Sequence, residues 1–243
     1  MRSLMALWRL LRLVSHVVAG VLTVWLRFPG WTPAQREERI ARWSRRMLAM
    51  LGVAVQSRGG VHVGPKLVVA NHVSWLDIAA IHAVMPHARF VSKADVKHWP
   101  VVSMLVEGAR TLYIERASKR DALRVVHQTA EALQAGDSVA FFPEGTTGPG
   151  PALLPFHGNL LQAAVVTGVP VQPLVLRWHE PGERFSTAAR YIGDTTLVAS
   201  LWSIARARGL AVDVQLLDVV DPAGQDRREL AERLSGLISQ SLG

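Results

Sequence analysis

The chain has 243 residues, about half of them hydrophobic, with 27 Lys and Arg against 19 Asp and Glu and no cysteine. That length allows one well-buried domain with a small appendage, and the composition excludes a disordered or fibrous chain. Without cysteine there is no disulfide, no thiolate catalysis and no zinc site with sulfur ligands, which fits a reducing compartment, cytoplasmic by default.

The net charge of +8 is unevenly placed: residues 1–50 carry nine Arg against two Glu, which leaves +1 for everything after them. Four of the eight tryptophans, Trp8, Trp25, Trp31 and Trp43, share that segment with runs of Leu and Val, as at a membrane interface. On a helix, Arg2, Arg9, Arg12, His16, Thr23 and Arg27 fall within a sector of roughly 80°. The longest stretch without Arg, 13–26, is short of a bilayer span, so the segment is expected to lie in the interface. Phe28-Pro29-Gly30 breaks this helix and Thr32-Pro33-Ala34-Gln35 reads as a capping box. A second amphipathic helix would place Ile40, Trp43, Met47, Met50 and Leu51 on one face and Arg39, Arg42, Arg45 and Arg46 on the other. Packing of both helices on the body of the protein is the competing reading; a signal peptide fits poorly, because arginines interrupt the apolar run. We take 1–55 as a membrane-associating helical pair and 56–243 as the main domain.

In the main domain, 67–70, 89–92, 111–114, 138–142, 171–178 and 211–217 read as strands. Helical patterns at 119–134 and 226–241, with weaker ones at 158–166 and 196–207, separate them. The fold class is therefore α/β, a mostly parallel sheet with helices on both faces, preceded by the amphipathic pair. Ligands of such sheets sit beyond the carboxyl ends of the strands. Three polar clusters fall there: Asn71-His72, Glu115-Arg116, and Pro143-Glu144-Gly145-Thr146-Thr147.

Histidine, with an ordinary pKa near 6.5, suits general-base work and needs an orienting partner. Asp77 lies five residues after His72, about 140° away on a single helix. The pair works only if His72 precedes a helix that starts near Ser74 or Trp75, with Asp77 in its first turn and Ser74 as N-cap. The loop 142–150 is acidic, Gly-rich and hydroxyl-rich and can present backbone N–H groups to an anion. It is no nucleotide P-loop, since no Gly-Lys-Ser/Thr follows. Arg116 is a fork able to grip phosphate or carboxylate.

These residues resemble the lysophospholipid and glycerol-phosphate acyltransferase family, in particular the 1-acylglycerol-3-phosphate acyltransferases. Asn71-His72 followed by four residues and Asp77 matches its first block, and Leu112-Tyr113-Ile114-Glu115-Arg116 its second. Phe142-Pro143-Glu144-Gly145-Thr146 matches the third, and Val169-Pro170-Val171-Gln172-Pro173 the fourth. Thr147 stands where many members have Arg, and Lys93 resembles a lysine that follows the first block. The resemblance implies acyl transfer from acyl-CoA or acyl carrier protein to the hydroxyl of 1-acylglycerol-3-phosphate, giving phosphatidic acid, with neither metal nor cofactor. It implies His72 as base and Asp77 as its orienter. Asn71, Lys93, Arg116, Pro143, Glu144, Gly145 and Thr146 would be substrate-binding. Within these, Lys93 and a backbone N–H near Gly145 would stabilise the oxyanion. The expected partners are an anionic membrane surface, at the cytoplasmic face of the inner membrane, and a lysophospholipid acceptor. Another lyso-lipid, such as lyso-ornithine lipid, is the alternative acceptor, and a catalytically silent membrane protein the alternative class. Nucleic-acid binding is not expected, because the charge keeps company with greasy helices.

Overall fold

The computed structural model describes residues 2–94, 100–114 and 119–243. In chain order the elements are α1 (Arg2–Leu26), a short 3-10 turn (Phe28–Gly30), α2 (Pro33–Leu51), β1 (Ala54–Arg58), β2 (Leu67–Ala70), α3 (Asp77–Val84), β3 (Ala88–Lys93) and α4 (Pro100–Gly108). After them come β4 (Leu112–Ile114), α5 (Lys119–Gln134), β5 (Ser138–Phe141), α6 (Leu161–Thr167), β6 (Val171–His179), α7 (Leu197–Arg206), β7 (Ala211–Leu216) and α8 (Arg227–Leu242). The strands form one sheet in the order β1-β7-β6-β2-β5-β3-β4. Every neighbouring pair is parallel except β6 and β7.

The central strands are continuously apolar because both faces of the sheet are covered. Val68 and Ala70 of β2 join a cluster with residues of α2, α3 and α7, whereas Leu67 and Val69 face α5, α6 and α8. β1 was not anticipated. Among the described residues it pairs with β7 alone, at the sheet edge, and its Ala-Val-Gln-Ser-Arg is largely exposed, so it carries no apolar alternation to read. α4 also escaped the sequence reading.

The helix expected near Ser74 begins instead at Asp77, with Leu76 as N-cap and no side-chain cap. The Ser74 cap is thus corrected: its hydroxyl accepts from the Leu76 N–H at 3.3 Å within the preceding turn. That turn forms because the Asp77 carboxylate collects the N–H groups of Val73 and Ser74.

At the N-terminus the capping box is present, Thr32 and Gln35 bonding reciprocally. The polar stripe of α1, however, does not all face water. Arg9 donates to the carbonyls of Ala205 and Ala207 at 2.9 and 3.0 Å, satisfying the end of α7. His16 meets the Trp43 carbonyl through Nε2 (3.0 Å) and stacks on the indole, while Trp43 Nε1 donates to the His16 carbonyl (3.3 Å). Gly20 permits this approach, since a Cβ there would stand 2.5 Å from Trp43 Nε1. Thr23 accepts from Arg39.

The opposite face of α1 is the exposed one, through Leu4, Leu7, Trp8, Leu11, Val14, Val18, Leu22 and Trp25. α1 is also long and apolar enough to cross a membrane, by length and composition. Of the apolar face expected of α2, Met47 and Leu51 are buried, together with Leu48, in the cluster that holds Leu13 and the sheet, and Trp43 packs against it half-buried.

Candidate active site

β2 and β5 lie side by side with Val69 opposite Phe141. The residues three further along each, His72 and Glu144, therefore leave the sheet together at its carboxyl edge. His72 stands before α3, as the five-residue spacing requires, and its Nδ1 lies 2.8 Å from Asp77 Oδ2. A carboxylate only accepts, so Nδ1 carries the hydrogen and Nε2 is left as the basic nitrogen. The ring lies flat on Phe142, centroids 3.9 Å apart and planes within 5°.

Asp77 is fully buried. Burying a carboxylate is costly unless donors surround it. Here Oδ2 takes the N–H groups of Val73 (2.7 Å) and Ser74 (2.9 Å) as well as His72, and Oδ1 takes the Trp178 indole N–H at 2.6 Å. The carboxylate can neither turn nor leave the imidazole.

Glu144 is buried too, with Oε1 accepting from the His72 N–H (2.7 Å) and Oε2 from the Leu154 N–H (2.8 Å). Burial pushes its carboxyl above the usual carboxylate range, and those two backbone bonds hold the rise back. Glu144 thus ties the 142–154 loop to the histidine's own backbone, reinforced by the Gly148 N–H on the His72 carbonyl at 2.6 Å. Gly145 turns this loop at φ +69°, a left-handed conformation that glycine adopts at no steric cost.

Beside His72 opens a cavity of about 980 Å³. Pro143, Gly145 and Thr146 line it near the histidine; Leu13, Val17 and Val24 of α1, Trp43 and Met47 of α2, and Leu105 of α4 supply apolar wall. A polar, hydrogen-bonded base at the edge of a large greasy chamber is the arrangement that acting on an alkyl-bearing substrate requires.

Two of the expected substrate-binding residues bond to the protein's own backbone. Asn71 is 1% exposed, and its side chain bridges to β6, Nδ2 donating to the Leu176 carbonyl (2.9 Å) and Oδ1 accepting from the Leu176 N–H (2.7 Å). It extends the sheet pairing and fixes where His72 emerges. Glu144 likewise accepts a backbone amide on each oxygen, which shapes the loop. In the loop where a backbone N–H was expected to serve an oxyanion, the Gly145 N–H itself donates to the Phe142 carbonyl at 3.1 Å. Thr147, at the position of the missing arginine, donates to the Tyr191 carbonyl. Lys93 ends β3 in register with Ile114, its side chain lying outside the described set, and Arg116 lies outside the described residues altogether. Sequence reasoning missed Trp178, which no motif marks because it reaches Asp77 from 101 positions away. It also missed His82 and His157, isolated histidines that line the same cavity.

The sequence model of the Acyltransferase family matches residues 52–177. Over its full length the chain is 37% identical to a lyso-ornithine lipid O-acyltransferase of Pseudomonas aeruginosa, of which it covers 95%. The chain belongs to the acyltransferase family. It is also 36% identical to a 1-acyl-sn-glycerol-3-phosphate acyltransferase of Neisseria gonorrhoeae, with 89% of each chain covered. The crystal structure of the 1-acyl-sn-glycerophosphate acyltransferase PlsC from Thermotoga maritima shares the fold, with a TM-score of 0.78 at 23% identity over 100% of this chain and 96% of that one. In this acyltransferase His72, Asp77 and Glu144 fall inside the family match, whereas α1 and α2 precede it and Trp178 comes one residue after it.

Proposed function

We propose that the protein moves a fatty acyl group from an acyl thioester, carried by coenzyme A or acyl carrier protein, to the free hydroxyl of 1-acylglycerol-3-phosphate, producing phosphatidic acid. The observation that carries this reading is the His72–Asp77 contact of 2.8 Å opening into the apolar cavity of about 980 Å³.

His72 Nε2 takes the acceptor's hydroxyl proton as that oxygen attacks the thioester carbonyl. Collapse of the tetrahedral intermediate expels the thiolate, which takes the proton back from the imidazolium. Asp77 holds the tautomer and stabilises the imidazolium, as in a catalytic triad whose serine is replaced by the substrate hydroxyl. No acyl-enzyme forms. Lys93 is assigned to the developing oxyanion and Arg116 to the acceptor's phosphate. The exposed face of α1 rests in an anionic bilayer at the cytoplasmic face of the inner membrane, with Arg2, Arg12 and Arg27 at its rim among lipid head groups.

A lyso-ornithine lipid is the second acceptor reading, favoured by the full-length similarity to the Pseudomonas aeruginosa enzyme. Purified protein offered lysophosphatidic acid, lyso-ornithine lipid and lysophosphatidylcholine, each with acyl-CoA and with acyl carrier protein, separates the acceptors and donors. The test of the chemistry is His72→Ala, expected to lower kcat by at least about 10³-fold with the fold intact. Turnover of that variant within ten-fold of wild type overturns the mechanism.

A further inference from the structure

Trp178 lies on β6 four residues past Leu174, the register partner of Ala70. This places its buried indole level with the turn between His72 and α3. The Nε1–H donates to Asp77 Oδ1 at 2.6 Å, from a side chain 2% exposed against a carboxylate that is fully buried. The other donors to Asp77, the His72 ring and the Val73 and Ser74 amides, gather on Oδ2.

We infer that Trp178 is a positioning residue of the reaction: it pins Asp77 Oδ1 so that Oδ2 faces His72, and it draws off part of the carboxylate's charge. The inference rests on the reading of His72 as base.

Two effects are expected when the N–H alone is lost. A carboxylate free to rotate spends less time aligned with the imidazole, so kcat falls. A carboxylate with one donor fewer presents more charge to the ring and stabilises the imidazolium, so the acid limb of the rate profile moves to higher pH. The other titratable groups around this point are Glu144, bonded to the His72 N–H, and His82 and His157, which line the same cavity. None of them bonds the indole.

The experiment is Trp178→Phe, assayed for kcat, KM and pH profile, alone and in an Asp77→Asn background. The expected result is a loss of about ten-fold or more in kcat, little change in KM, and an acid limb displaced upward, with no further loss once Asp77 is Asn. An unchanged kcat and acid limb, or the same loss in the Asp77→Asn background, overturns the role. Should Trp178→Phe fail to fold, 3-benzothienylalanine placed at position 178 alone keeps the ring's shape, replaces N–H by sulfur and gives the same reading. A fully active His72→Ala enzyme removes the base itself. Full activity of the position-178 variants beside an inactive His72→Ala removes only Trp178.

Discussion

Replacing Asp77 by Asn changes one oxygen for one NH2 group inside a shell of four donors, and the structure dictates which way the amide turns. With NH2 toward Val73 and Ser74, two backbone N–H groups and the His72 ring would all face a donor. With NH2 toward Trp178, a single donor–donor collision arises, at the site of the present 2.6 Å bond. The second arrangement costs less, so the amide oxygen stays on His72 and the tautomer survives. What disappears is the negative charge. For an imidazolium about 4 Å from a carboxylate at an effective dielectric near 20, that charge is worth about 4 kcal/mol. At about 1.4 kcal/mol per decade, kcat should fall about 10³-fold with KM nearly unchanged. Single-turnover acyl transfer with a radiolabelled lyso-lipid measures it, with circular dichroism confirming the fold. A kcat within ten-fold of wild type refutes the reasoning, and a loss near 10⁴-fold signals that the amide has turned the other way and the tautomer is lost.

Asn71→Leu orphans the Leu176 N–H and carbonyl inside the sheet, so urea unfolding should show about 3 kcal/mol less stability, with the KM for the lyso-lipid unchanged in the folded fraction. Raised KM at full stability would return Asn71 to the substrate. His82 is buried, with its pKa lowered by desolvation to about 4. The unfolded chain binds the proton more tightly, so the stability His82 contributes is complete above pH 6.5 and is lost as pH falls through 4, about 3 kcal/mol in all. Unfolding of wild type and His82→Gln across that window checks it; parallel curves place the effect elsewhere. Trp8, Leu11 and Val18 are 62%, 66% and 52% exposed, so changing all three to Glu should leave melting unaltered. The same triple change should lower partitioning onto anionic vesicles more than 100-fold, at about 1.5–3 kcal/mol per buried apolar side chain. Retained binding moves the membrane contact off α1.

The strands at the heart of the sheet were legible in the sequence because parallel strands buried on both faces need unbroken apolar runs, as in Leu67-Val68-Val69-Ala70. The helix that carries Asp77 was legible only in outline, since its first turn is set by the carboxylate's own bonds to Val73 and Ser74. For His72 and Asp77 the spacing gave only a condition, that one of them precede the helix; that they pair at all was read from the company of Phe142 to Thr146 and the family resemblance these residues carry. The direction in which Asn71 and Glu144 point could not be derived, because a polar residue at a strand end serves a ligand or the neighbouring backbone equally well. Their partners, Leu176 and Leu154, are chosen by the sheet order and the loop path. The arginine and histidine stripe of α1 misled for a related reason. Amphipathicity tells which side differs, and the protein used Arg9 and His16 to dock the helix, leaving the greasy side outward.

α1 consequently has two apolar sides with different neighbours. Leu13, Val17 and Val24 form cavity wall, while Trp8, Leu11 and Val18 face outward. With lipid against the outer side, a lyso-lipid tail and the chamber beside His72 are separated by one helix, about 10 Å of protein. A tail that passed through water would expose its methylenes at about 0.8 kcal/mol each. One that slips past the flank of α1 trades one hydrocarbon surrounding for another. Chain length would then weigh little on the rate of entry, and discrimination among acyl chains would fall to the shape of the chamber.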